Sequence, residues 1–154
     1  MKKYFRTLLL LLLGMLVAIS GVSIKRISDI RDYGKLINYV GIVRGASQRV
    51  VKLETNGRPD DELTAYVEGI LNELITGQGV YGLVLADCRQ YQLDLDLLKD
   101  QWDHVKKEIG EVRQGARADA LIDSSEKLFE IANDTVFTIE QYSGEMAEKT
   151  CLLY

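Results

Sequence analysis

Apolar residues are distributed along the chain in two distinct ways. From Thr7 to Ile24 no charged residue occurs, and Leu8 to Leu13 is an unbroken leucine run. At 1.5 Å per residue this stretch makes roughly 27 Å of helix, close to the hydrocarbon thickness of a bilayer. Beyond it the apolar residues become periodic. Ile27, Ile30, Gly34, Ile37, Gly41, Arg44, Gln48 and Val51 step by three and four, the spacing of one helix face. Asn56, Gly57, Arg58 and Pro59 interrupt that helix, and Asp60, Asp61 and Glu62 supply an acidic first turn for the next. The second helix shows its apolar face at Leu63, Tyr66, Val67, Ile70, Leu71, Leu74 and Ile75. After a glycine-rich stretch, the third carries the cleanest seven-residue repeat, Tyr91, Leu95, Leu98, Trp102, Val105, Ile109 and Val112, with Gly115 as its stop. A fourth, beginning near Asp119, places Ile122, Ser125, Phe129, Ala132, Val136, Ile139, Ser143 and Met146 on one face and runs into Cys151, Leu152, Leu153 and Tyr154.

Four amphipathic segments with short connections predict an all-α protein, an antiparallel up-down-up-down four-helix bundle with an N-terminal transmembrane helix. The expected divisions are a cytoplasmic N-terminus at 1–6, a transmembrane helix at 7–24, an extracytoplasmic bundle at 25–149, and the start of a second membrane helix at 150–154. Lys2, Lys3 and Arg6 precede the apolar run, so the positive-inside rule puts the N-terminus in the cytoplasm and the bundle on the periplasmic or extracellular side of the inner (plasma) membrane. Small residues at Ala18, Ser20, Gly21 and Ser23 would also suit the cleavage site of a signal peptide. The periodicity that continues through Ile24, Ile27 and Ile30 without Pro or a turn cluster favours an uncleaved anchor.

Composition reinforces the helical reading: one Pro, 27% charged and 47% hydrophobic residues. The formal net charge is −4, and three cations lie ahead of the apolar run, which leaves −7 for the rest. An acidic body argues against nucleic acid as a partner. The segment from Lys25 to Glu54 is the exception, with seven basic residues against three acidic ones. Cys88 and Cys151 lack metal-ligand spacing and are poorly placed to pair, and His104 stands alone, so no metal site is expected. Gly77, Gly79 and Gly82 spell the G-x-G-x-x-G of a dinucleotide site, but a helical pattern precedes them where that motif needs a strand. A flexible interhelical loop is expected there, and no cofactor. Asp94, Asp96, Asp100 and Asp103 read as a solvated face.

Arg44 is the residue that stands out chemically. A guanidinium on an inward seam needs a partner or an anion to offset its desolvation. Gly41 and Gly45 leave the helix surface bare on either side, and Gln48 adds an amide one turn on. Arg49 falls on another face, toward solvent or a neighbouring helix. The purely structural alternative is an ion pair from Arg44 to a carboxylate such as Glu126 or Glu140. No nucleophile, base and oxyanion arrangement is legible, so an enzyme is not expected.

The stretch INYVGIVRGASQR, residues 37–49, resembles the signature helix of the nitrate/nitrite sensor and type IV pilus methyl-accepting chemotaxis transducer N-terminal family. Ile37, Asn38, Gly41, Arg44, Ser47 and Arg49 match its pattern, whereas Gly45, Ala46 and Gln48 depart from that of the nitrate sensors. The segment SSEKLFEIANDTVFTIEQYS is similar to the last ectodomain helix of such receptors. The resemblance implies a homodimeric four-helix sensor whose first helices lie side by side, with a small anion such as nitrate or nitrite held at Arg44. Asn38, Gly41, Ser47 and Gln48 would be the supporting positions.

Two functions from different classes follow. One is the ligand-sensing input domain of a transmembrane receptor, in a two-component kinase, a diguanylate cyclase or a chemotaxis transducer. The other is a membrane-tethered helical bundle that recruits a partner helix and binds no small molecule.

Overall fold

A computed structural model describes residues 2–151, with the side chains of residues 2, 3, 26, 29 and 149–151 excepted. The described chain is all helical: α1 spans Lys2–Thr55, α2 Asp61–Thr76, α3 Arg89–Arg113 and α4 Asp119–Cys151. Helix boundaries fall where the breakers predict. Helix α1 gives way at Asn56 and Gly57, where the Arg58 amide turns back to the Leu53 carbonyl at 2.9 Å just ahead of Pro59. Asp60 then caps α2, its side chain accepting from the Leu63 amide at 2.9 Å. Gly77 closes α2 in the left-handed conformation, at φ +66°, and donates to the Glu73 carbonyl.

Helix α1 is continuous from the leucine run into the bundle, roughly 80 Å at 1.5 Å per residue. Among the described residues it is the one helix long and apolar enough to cross a membrane. Leu8 to Leu13 are exposed all round, as are Met15, Leu16 and Val17. Leu152, Leu153 and Tyr154, the end of the expected second membrane segment, lie outside the described residues.

The remaining helical surface closes on one core. Helix α4 packs broadly against both α1 and α3, and α1 packs against α2. Trp102 and Tyr91 are the largest fully buried side chains, surrounded by Leu36, Ile70, Leu71, Leu74, Leu95, Leu98, Leu121, Leu128 and Ile139. Each such aliphatic side chain contributes roughly 1.5–3 kcal/mol by leaving water. The α3 face is the one the repeat predicts: Tyr91, Leu95, Leu98, Trp102, Val105 and Ile109 are buried.

Helix α1 presents a different face from the expected one. Its buried positions are Tyr33, Leu36, Val40, Val43, Ser47, Val50, Val51 and Glu54. This seam lies one residue, or about 100°, away from the predicted one. Gly34 and Ile27 are exposed, and Ile37, Gly41, Arg44 and Gln48 are half-buried along its edge. The physical reason is apolar content: Leu36, Val40 and Val43 bury more than Ile37, Gly41 and Arg44 can. Helix α4 keeps part of its predicted face, with Ser125, Ala132 and Ile139 buried, and shifts the rest. Leu121, Leu128 and Thr135 are buried, whereas Ile122 and Phe129 are left partly in solvent.

Buried polar groups are tied across helices. Glu54 accepts from Arg113 Nε at 3.1 Å and from Nη2, and the same Nη2 donates to Asp61 at 2.7 Å. Trp102 Nε1 donates to Glu68, which also pairs with Lys99 and Lys106. Asp94, expected in solvent, is buried and accepts from Thr138 at 2.6 Å and from Gln90 at 2.8 Å. Asp103, on the same expected solvated face, pairs with Lys99 and Lys106.

Candidate functional site at the α1 and α4 contact

Two polar side chains of α1, one helical turn apart, reach toward α4. Gln48 Nε2 donates to the Ser125 carbonyl at 2.8 Å. Arg44 Nη1 donates to Asn133 Oδ1 at 2.5 Å, and its guanidinium carbon lies 5.5 Å from the centroid of the Phe129 ring. The α4 partners are themselves spaced by four, at 125, 129 and 133, so they stand in a column on one face. Neither Glu126 nor Glu140 pairs with Arg44, contrary to the carboxylate expectation. Among the described residues no carboxylate lies within ion-pairing distance of it.

The electrostatics of this contact are therefore unbalanced. A half-buried cation is met by a carboxamide oxygen and an aromatic face, both neutral. One of its five N–H donors is used by Asn133, and the others have no hydrogen-bond acceptor among the described residues. Beside it the surface is open. At Gly41 and Gly45 nothing beyond the adjoining residues and the helix's own backbone comes within 4 Å of the position a Cβ would take. A small acceptor could approach the α1 backbone there, within a turn of Arg44, with little steric cost.

The other expected site residues are placed apart from that opening. Ser47 is fully buried, and its hydroxyl donates to the Arg44 carbonyl at 3.0 Å, which makes it part of the core face. Asn38 is exposed on the outer side of α1. Arg49 is also exposed and lines a separate open cleft of about 440 Å³ with Leu53, Arg58 and Pro59 at the α1–α2 turn. Asn133 escaped the sequence reading. The four-residue spacing of Ser125, Phe129 and Asn133, matched to Gln48 and Arg44, was the signal that could have found it.

The glycine-rich connection between α2 and α3 is not the flexible loop expected. Glu73 of α2 is buried, and its two oxygens accept the Tyr81 and Leu83 amides, each at 2.8 Å. Lys35 of α1 donates to the carbonyls of Tyr81 and Gly82. Burial pushes the Glu73 carboxyl upward, but the Leu83, Tyr81 and Gly82 amides and the nearby Lys35 outweigh it and hold the group below the usual carboxylate range. In the α2–α3 cluster, burial likewise opposes and Lys106, Lys99 and Trp102 overcome, so Glu68 is also held low. Cys88 is a free thiol, and among the described residues no group of three His, Cys, Asp or Glu side chains could hold a metal ion.

The class these features define is a helical bundle carrying one long apolar helix and an uncompensated arginine at the contact of its first and last helices. No family model, no curated protein and no solved structure matches the chain.

Proposed function

We propose that the chain is the extracytoplasmic sensory input module of a transmembrane receptor, binding a small anion at Arg44. Its fold in this reading is an antiparallel up-down-up-down bundle anchored by an α1 segment over residues 7–24. Support for the helix directions comes from cross-helix pairs that descend α4 as they ascend α1: Tyr33 with Tyr142, Arg44 with Asn133, Gln48 with Ser125. Support for the anchor comes from the exposed leucine run preceded by Lys2, Lys3 and Arg6. In the receptor the module acts as a homodimer.

One observation carries the ligand: Arg44 is half-buried with neutral partners only, beside an open glycine-flanked surface. A cation so placed gains by acquiring a counter-anion, and nitrate or nitrite has the size and acceptor geometry to fit. Anion binding would compete with Asn133 for the guanidinium and so shift the balance between two packings of α1 on α4. The second reading, a tethered bundle without a small ligand, is favoured by the Asn133 and Phe129 contacts, which already hold Arg44 in place.

Thermal melting of the full chain in detergent micelles, with nitrate, nitrite and chloride at equal ionic strength, separates the two. An anion-specific rise in melting temperature is expected in the wild type and in Arg49→Ala, and is expected to vanish in Arg44→Ala. No rise with any of these anions, or a rise that survives in Arg44→Ala, removes Arg44 as the sensing group.

A further inference from the structure

We propose that the glycine motif of the α2–α3 connection is an anion-binding nest whose anion is the chain's own Glu73, and that residues 77–88 thereby form a strap tying α1 to the α2–α3 hairpin. The motif needs no nucleotide. Its successive backbone amides converge on a carboxylate, as they converge on phosphate in loops that bind nucleotides.

The geometry is specific at Gly79. A Cβ there would lie 2.0 Å from Glu73 Oε2 and 2.5 Å from its carboxyl carbon, so a side chain at 79 and a seated carboxylate exclude each other. Gly82 takes a left-handed φ of +64°, which turns its carbonyl and that of Tyr81 toward Lys35. The arc Tyr81–Leu83 is therefore held from two sides, its amides by α2 and its carbonyls by α1. Tyr81 adds ring contacts to Tyr39 of α1 at 5.3 Å and to Tyr66 of α2 at 6.0 Å. A displacement of α1 at the level of Lys35 is thus passed to the α2–α3 connection as well as to α4.

A strap held at a few points opens as a local unit, ahead of the core. Hydrogen exchange of the full chain in micelles reads this residue by residue. Glu73→Gln keeps the shape but turns an N–H₂ toward backbone donors, whereas Gly79→Ala keeps the carboxylate and evicts it from its seat. Lys35→Met removes the tie to α1 alone. All three are expected to speed exchange of the Tyr81 and Leu83 amides by about tenfold or more, while amides of Val43, Leu98 and Ala132 stay within about twofold. Unchanged exchange at Tyr81 and Leu83 in either Glu73→Gln or Gly79→Ala overturns the nest. Unchanged exchange in Lys35→Met overturns the tie to α1. Equal acceleration throughout the core overturns the strap as a separable unit.

Discussion

Glu54 and Asp61 share one guanidinium at the end of the bundle formed by the α1–α2 and α3–α4 turns, and the structure sets them sharply apart in burial. Both carboxylates contact Arg113 Nη2, and Glu54 also accepts from Nε. The difference is solvent: the Glu54 side chain is 2% exposed and that of Asp61 is 80% exposed. A buried carboxylate that loses its charged partner keeps its desolvation cost, and each charged hydrogen bond carries about 1.5–3 kcal/mol. Arg113 is 39% exposed and can recover part of this from water and Asp61. Glu54→Gln is therefore expected to cost about 2–3 kcal/mol. Asp61→Asn loses a solvent-screened pair and an acid in the first turn of α2, together about 0.5–1 kcal/mol. For a chain of this size these are drops in melting temperature of roughly 5–10 °C and less than about 4 °C. Helical ellipticity of the full chain in micelles measures both. Equal losses, or a larger loss at Asp61, would refute burial as the factor that sets the strength of these pairs.

Two further predictions rest on the same physics. Trp102→Phe keeps most of the buried ring but removes the Nε1 donor that reaches Glu68 at 2.8 Å, and is expected to lower stability by about 1–2 kcal/mol in the same melting assay; no loss would mean that Lys99 and Lys106 suffice for Glu68. Glu73, Glu68 and Asp103 are all held below their ordinary values, in each case because hydrogen bonds and neighbouring cations outweigh burial. A depressed carboxyl stabilises the fold fully above its unfolded value and loses that contribution as pH falls through the folded one. The melting temperature should accordingly be level above pH ~5 and fall in more acid solution, less steeply in Glu73→Gln; a rise on acidification would contradict these assignments.

Legibility of the fold in the sequence varies with the contrast between core and edge. In α3 the repeat from Tyr91 to Ile109 is bounded by Asp96, Lys99, Asp100, Asp103 and Lys106, so one register buries most of the apolar groups and leaves Leu93 and Leu97 exposed. The helix ends were equally plain, because Pro59, Asp60, Gly77 and Gly115 each carry a backbone or capping requirement. In α1 two adjacent registers compete. Ile37 continues Ile27 and Ile30 into one, while Leu36, Val40 and Val43 make the other, and only the packing of the other helices discriminates between them. A buried Glu cannot be recognised from its own helix when its partners are backbone amides eight and ten residues on.

The register of α1 changes what Arg44 can do. On the innermost seam, as the sequence suggested, its charge would face the packed centre of the bundle, where an anion could arrive only by opening the core. Rotated by one residue, the guanidinium lies at the rim of the α1–α4 contact beside Asn133 and Phe129, with the open backbone of Gly41 and Gly45 within one turn of Arg44. An anion there would act on an extensive contact, between the helix that carries the apolar segment and the helix that ends the described chain. Lys35 ties that first helix to the α2–α3 connection nine residues earlier, and among the polar attachments of α1 this one and that of Arg44 are of opposite design. The strap binds Lys35 through backbone carbonyls with the Glu73 carboxylate nearby, seated on the amides of the same arc, and the α4 contact leaves a cation without one. Of the two, only the second has unfilled electrostatic demand, and that is the attachment whose strength a ligand from solution could alter.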